Sequence, residues 1–497
     1  MGSLLLEAPV TRATAGWRAL GVPLAFTAGL AAYLFIPSVR TNPSLLWTFA
    51  GAVAVLLAWN AVLLMSSLRT GRTLSVEVVL RKQHYLQACA QGSVLLYWGW
   101  YWRQVYDWSY LIAAQLMFAY AFDMLLSWSR RDTYVLGFGP FPVIFSINLF
   151  LWFKPDWFYL QFLMVAVGFA AKELIRWEKD GRPAHIFNPS SFPLAVFSIG
   201  LLLTGKSGMT WGQDIASTQF YPPHMYLWLF LIGLPGQYLF GVTTMTMSAV
   251  VSTYVFGLLY YAATGVYFFY DSYIPIAVFL GMHLLFTDPS TSPRTELGRL
   301  IFGALYGLST VALYALLGNA GMPAFYDKLL QVPILNLSIK LIDRLVRSTW
   351  LQHIDPGAFA RSLMPRQRHL AYMSVWAVVF AAMSAVQGVG DSHPGQWLPF
   401  WQQACSDGRP YACSYFERIV SSECDRGSDW ACSELAILQA RADTEPPRGL
   451  ASVQPTLEDY PIVLKGSKGP IRETSRAGLV TLACRQGWPG TCDQQRP

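Results

Sequence analysis

The sequence predicts an all-α membrane protein: a polytopic bundle of about 13 transmembrane helices followed by a small, disulfide-stapled helical domain. Three observations carry this. Of 497 residues 54% are apolar and only 13% are charged, well below the ~25% charge of soluble domains. Apolar windows of roughly 20 residues, the length that crosses a hydrocarbon core of about 30 Å, recur along the chain. Six of the seven cysteines lie in the last hundred residues.

The windows place spans near 18–37, 44–65, 88–106, 109–128, 133–152, 157–172, 189–205, 223–241, 245–264, 267–286, 300–318, 323–341 and 370–389. Two are weak: the third carries Gln91 and Arg103, and the twelfth carries Asp327, Lys328, Pro333 and Asn336, so an amphipathic surface helix is the alternative there. With the N-terminus inside, nineteen Lys and Arg fall on the cytoplasmic side, among them Arg81, Arg131, Lys172, Arg176, Arg294 and Arg368. Only five, Arg40, Arg103, Lys154, Lys206 and Lys328, fall on the other. That is the positive-inside asymmetry, and it accounts for the net charge of +7. A nucleic-acid binder would need a clustered basic face with interleaved aromatics, so nucleic acid is not an expected partner. The lipid bilayer is. The N-terminus lacks the basic n-region of a cleaved signal peptide.

The tail beyond residue 390 holds three pairs of one spacing, Cys405 and Cys413, Cys424 and Cys432, Cys484 and Cys492, each C-x7-C around a turn. Structural zinc prefers cysteines two to four residues apart, so the pairs read as disulfides and no metal site is expected. Disulfides require an oxidising compartment, and thirteen spans independently put the tail outside. The pattern resembles Sel1-like repeats of the cysteine-rich type, which implies a short helix stack that binds extracytoplasmic protein partners.

Between His185 and Pro293 only Lys206, Asp214, Asp271 and Asp288 are charged, and two polar, proline-bearing strings bound the stretch: HIFNPSSFP at 185–193 and FTDPSTSP at 286–293. Such strings mark where a membrane helix stops and backbone groups become free to bind. Asn188 or Ser190 and Pro189 suit a helix start; Thr287 and Asp288, with Ser290 and Thr291 after them, suit a cap or a ligand face. Both strings fall on one predicted side, which favours a shared site. Asp123 is an intramembrane acid, read as an interfacial ion pair with Arg130 or Arg131. His283 lacks the partner a bis-histidine haem needs, and Cys89 reads as a small core residue.

The two strings, with GRLIFGALYG at 298–307 and KLID at 340–343, resemble the membrane subunits of the Rnf and Na+-pumping NADH:quinone reductase complexes, and more closely their relatives encoded near enediyne biosynthesis genes. The resemblance covers about 75–345. It divides the chain into N-terminal spans (1–74), the family-like core (75–345), a basic loop and last span (346–389) and the cysteine-rich tail (390–497). It implies a bacterial inner-membrane subunit in electron transport, redox-active or ion-coupling, with other membrane subunits as partners. It also implies a flavin, FMN or riboflavin, near His185, Asn188, Pro189, Ser190, Thr287, Asp288, Ser290 and Thr291. The family esterifies FMN to a Thr in a D-x-x-S-G-A-T string. The loop KSGMTWGQDIASTQFYP at 206–222 offers Asp214, Ser217 and Thr218 but lacks the Gly-Ala, so Thr218 is a degenerate match and any flavin is expected to be non-covalent. A flavin-free transporter acting past Asp123, Asn148 or Asp288, or an anchor for the tail, are the alternatives. Reporter fusions at Ser348 and Gly390 should read opposite sides of the membrane; cytoplasmic signal at both would remove the thirteenth span.

Overall fold

The computed structural model describes residues 12–442, apart from 180, 221, 270, 271, 352, 360–362, 387, 388, 390–400, 402, 403, 410, 411 and 426–428. The principal helices, in chain order, are α1 (Trp17–Ala32), α2 (Pro43–Thr70), α3 (Lys82–Tyr101), α4 (Ser109–Trp128), α5 (Pro140–Phe150), α6 (Phe158–Leu174), α7 (Ser191–Thr204), α8 (Gly212–Thr218), α9 (Met225–Phe240), α10 (Thr243–Thr264), α11 (Ile276–Leu284), α12 (Glu296–Asn319), α13 (Val332–Val346), α14 (Pro365–Val386), α15 (Ala412–Cys424) and α16 (Asp429–Ala442). The chain divides into two compact units. One comprises Met1–Thr218, Leu229–Ala249 and Leu280–Trp376; the other comprises Gln219–Trp228, Val250–Phe279 and Ala377–Pro497.

Among the described residues seven helices are long and apolar enough to cross a membrane: α1, α2, α4, α6, α10, α12 and α14. The protein is an integral membrane protein. The other six expected spans fall on α3, α5, α7, α9, α11 and α13, which are shorter or more polar, so seven of the thirteen expected spans meet the length and composition of a crossing helix. The reason is visible in α11: at 1.5 Å per residue, its nine residues reach about 14 Å, half of a hydrocarbon core. Every residue of α11 is buried, as is every residue of α5 except Phe141 and Phe145. A helix apolar all round and buried all round belongs inside the bundle rather than against lipid, and irregular backbone at membrane depth is tolerated there.

The all-α expectation also needs amending by five four-residue strands. β1 (Arg12–Ala15) pairs antiparallel with β2 (Ser75–Val78), which pairs parallel with β3 (Thr133–Leu136); β4 (Arg176–Lys179) and β5 (Arg182–His185) form a hairpin. SVEV and TYVL are rich in β-branched and aromatic residues, which suit a pleated surface. Long-range pairing, not local apolar period, makes them strands.

Inside the first unit, buried amides join the helices. Gln115 of α4 exchanges hydrogen bonds with Asn148 of α5 (3.0 and 2.9 Å), and Gln161 of α6 donates to Gln115 Oε1 (2.9 Å) while accepting from the Phe153 N–H (3.0 Å). A polar network in a low-dielectric interior stabilises only when its members find partners, and these do. Asn148 is therefore a fastener between helices. Gln91 of α3 donates to Ser146 (2.7 Å), which is how a polar helix sits in the bundle. Its buried positions include Ala88, Gln91, Val94, Leu95 and Trp98. Cys89 lies off that face and is exposed, contrary to the expected core position.

Two glycines set helix spacing. A Cβ on Gly168 of α6 would lie 2.4 Å from the Pro189 carbonyl oxygen, and one on Gly303 of α12 would lie 2.2 Å from the Met245 carbonyl oxygen of α10.

The second unit holds a tyrosine cluster, with Tyr261 stacked on Tyr267 at 4.6 Å and Tyr267 against Tyr273 at 5.2 Å. It also holds the start of the tail. Disulfides join Cys405 to Cys413 and Cys424 to Cys432, as the spacing predicts, and the second ties the end of α15 to the first turn of α16. Trp401 stacks on Tyr415 at 4.7 Å. Cys484 and Cys492 lie outside the described residues.

Gly168→Ala and Gly303→Ala are each expected to destabilise by about 1–3 kcal/mol, because backbone must move to admit the methyl. Gly51→Ala and Gly200→Ala, with nothing within 4 Å of the added carbon, should not. Thermal unfolding in detergent measures all four, and equal midpoints would contradict the close approach.

Candidate functional site

The two polar strings meet. His185 Nε2 donates to Asp288 Oδ2 at 3.0 Å, across 103 residues of chain. Asn188 Nδ2 donates to the Leu285 carbonyl (3.0 Å), and Asn188 Oδ1 accepts from the Ser190 N–H (2.9 Å), the Ser191 N–H (3.1 Å) and the Ser190 hydroxyl (2.7 Å). From α13, Asn336 Oδ1 accepts from the Asn188 N–H (3.2 Å) while its Nδ2 donates to the Thr291 carbonyl (3.3 Å). Both asparagines are buried. Together they satisfy backbone groups that the broken helices α7 and α11 leave open, and left unpaired in a dry interior each would cost about 1–3 kcal/mol. Asp343 of the KLID string adds a further tie, accepting from the Arg294 N–H at 2.9 Å.

A cavity of about 1420 Å³ opens at this junction, larger than the ~300–1,000 Å³ of a typical small-molecule pocket. His185, Asn188, Pro189, Ser190, Asp288 and Ser290 line it. Thr287 and Thr291 are buried beside it, with the Thr287 hydroxyl donating to the His283 carbonyl (3.0 Å) and the Thr291 hydroxyl to Asp288 (3.3 Å). Thr218 is not among the lining residues. It ends α8, is 6% exposed, and accepts from Trp98 Nε1 at 3.0 Å.

The lining is strongly cationic. Arg81, Arg131, Lys172 and Arg176 contribute from the first half of the unit's sequence, and Arg294, Arg299, Arg347 and Arg368 from the second, against only Asp123 and Asp288. All eight cations belong to the nineteen that charge patterning puts on one side, and none to the other five. The strands position part of the lining: β4 starts at Arg176 and β5 ends at His185, while Thr133, Tyr134 and Val135 of β3 form wall.

Asp123 is paired, though not with the arginines its sequence neighbourhood suggests. Tyr134 donates to it at 3.1 Å and Lys172 Nζ stands 3.6 Å away. Arg130, Arg131 and Arg176 instead gather on the buried carboxylate of Glu173 at 3.8, 3.0 and 3.4 Å. Folding of α6 against α4 supplies both exchanges, so no reading of residues 123–131 alone finds them.

Two titrations follow from this setting. Burial works to raise the Asp288 carboxyl, but the His185 hydrogen bond and charge, the Ser290 N–H and the Thr291 hydroxyl outweigh it and hold the group below the ordinary carboxylate range. His84, at the start of α3 and ahead of the window 88–106, is pulled from its ordinary 6.5 to about 4, first by burial and then by the cations Arg81 and Lys172, with Asp288 acting the other way.

Sequence reasoning singled out the strings but not Asn336 or His84 as site residues, and it took the eight cations only as topology markers. The signal that could have found the cations was present: basic residues concentrated on the side that holds both strings.

No family model, curated protein or solved structure matches this chain.

A folded-state pKa below the unfolded value means that between pH 6.5 and about 4 the unfolded chain binds a proton at His84 that the folded chain refuses. Stability is then lost as pH falls through that window. His84→Gln should remove this component, worth about 2 kcal/mol after allowing for solvent screening. Thermal unfolding of wild type and variant across pH 7 to 4 measures it, and parallel curves would contradict the assignment.

Proposed function

We propose that the protein is an integral membrane subunit of the Rnf and Na+-pumping NADH:quinone reductase kind, redox-active, with a flavin held non-covalently in the cavity. The observation that carries this reading is the meeting of the two strings, through the His185–Asp288 contact, at the mouth of one large cavity. Those strings are among the segments through which the sequence resembles the family.

The lining suits a flavin in two respects. Val143, Leu239, Phe240, Leu284 and Leu285 offer apolar surface to a flat ring, and the His185–Asp288 pair with Ser290 offers hydrogen-bonding groups at its edge. A bound flavin would supply one- and two-electron transfer. The chain's part is to orient the ring and limit access of water. Asn188 and Asn336 hold the walls rather than touch the ring, since their side-chain oxygens already accept from backbone.

Non-covalent retention is favoured by the burial of Thr218 and its bond to Trp98, which leave its hydroxyl poorly presented for esterification. The same reading places the cavity on the cytoplasmic side of a bacterial inner membrane and the disulfide-bonded tail outside, facing extracytoplasmic partners.

Visible absorbance of the purified protein tests the reading. The expected result is a flavin spectrum, flavin released on heating, no fluorescent band on a denaturing gel, unchanged occupancy in Thr218→Ala, and several-fold lower occupancy in Asn188→Ala. A fluorescent band abolished by Thr218→Ala would replace the non-covalent form with a covalent one. Colourless protein from riboflavin-fed cells would sink the flavin reading and leave a quinone, transport or anchoring role.

A further inference from the structure

The cavity's charge excess is only partly taken up by the protein itself. Lys172 is paired with Asp123, Arg131 and Arg176 with Glu173, and Arg299 with Glu296 at 2.8 Å. Arg81 and His84 have no hydrogen bond or ion pair of their own side chains among the described residues, and Arg368 Nε is buried without a partner. All three line the cavity. A concave site with low-dielectric walls focuses such a field, and a buried guanidinium nitrogen left unpaired carries a desolvation cost that a bound anion would offset.

The backbone adds to this. The first turn of α3, a twenty-residue helix, has no side-chain cap, and Arg81, Gln83, His84 and Gln87 from that end all line the cavity. An uncapped helix start presents free N–H groups and the positive end of the helix dipole. Arg81 and Lys172 are close enough to act electrostatically on the imidazole there. Charge, an open helix start and an unpaired guanidinium nitrogen thus line one cavity, and a phosphate monoester is the group that matches all three: it is close to doubly charged near neutral pH and has several acceptor oxygens for N–H and guanidinium donors.

We infer that the cavity binds its ligand through a phosphate group, seated at the start of α3 beside Arg81, His84 and Lys172, with Arg368 contributing from α14. This rests on the reading of the cavity as the ligand site and adds what the ligand must carry: with a flavin, FMN binds more tightly than riboflavin. The same chemistry could be met by the headgroup of an anionic phospholipid, and the experiment separates the two sources.

Full-length protein in phosphatidylcholine nanodiscs is stripped of endogenous ligand and titrated with FMN and with riboflavin, reading quenching of flavin fluorescence. The expected result is FMN binding at least about 10-fold tighter than riboflavin, equivalent to about 1.4 kcal/mol, with inorganic phosphate competing against FMN. Arg81→Gln and Arg368→Gln should each shrink that ratio several-fold and leave riboflavin binding unchanged. Arg81 is exposed, so its variant is expected to fold. Displacement of FMN when the discs contain phosphatidic acid would support the phosphate site and assign it to a lipid headgroup. Equal binding of FMN and riboflavin would overturn the phosphate inference while leaving the flavin reading intact. Competition between phosphate and a lipid headgroup with no binding of either flavin would do the reverse, and absence of all binding would overturn both.

Discussion

Helices that end inside a membrane bundle leave backbone groups that need partners, and the structure of the first unit depends on how two asparagines answer that constraint. Asn188 and Asn336 join the start of α7, the end of α11, the segment after it and α13, accepting four N–H or O–H groups and donating to two carbonyls. Without them, α7 and α11 would end in unpaired backbone at a cost of several kcal/mol. With them, two segments a hundred residues apart hold a fixed separation, and the space left around their junction is the cavity. Gly168 acts from the other side, since only a residue without a side chain lets α6 approach the Pro189 carbonyl.

The polar strings therefore build the site more than they furnish its free contacts. Asp288 accepts from His185, Ser290 and Thr291, and Asn188 is saturated in the same way. What faces the cavity with spare bonding capacity comes from the starts of helices: Arg81 just ahead of α3, His84 in its first turn, Arg368 in the first turn of α14. Walls held by buried amides and charged side chains on the lining divide the labour of shape and attraction. In this arrangement the buried Glu173 has a specific use. It neutralises Arg131 and Arg176 in part and keeps three arginines grouped near the cavity despite their mutual repulsion.

Much of the fold was legible in the sequence. Long apolar windows mark α1, α2, α4, α6, α10, α12 and α14 because crossing a bilayer imposes a length and a composition that survive any tertiary context. The C-x7-C spacing likewise announces Cys405–Cys413 and Cys424–Cys432, since a short closed loop with a turn in it is a local property. The lengths of α5, α7, α9, α11 and α13 were not legible in the same way, because an apolar run in a helix that stops short has the same hydropathy as one in a helix that continues. Nor were the strands β1 to β3, whose partners lie about sixty residues apart in sequence.

By itself, then, the sequence determined that this is a helical membrane protein with disulfides in its tail, and it pointed to residues 185–193 and 286–293 as the segments to watch; these follow from composition, spacing and local polarity, which need no partner to be read. Tertiary structure alone decided that the two segments touch, that Lys172 rather than Arg130 or Arg131 answers Asp123, that Asn148 is a fastener, and that eight cations surround one cavity. Each of those depends on which helix packs against which, and a pairing between groups fifty or a hundred residues apart is set by that packing.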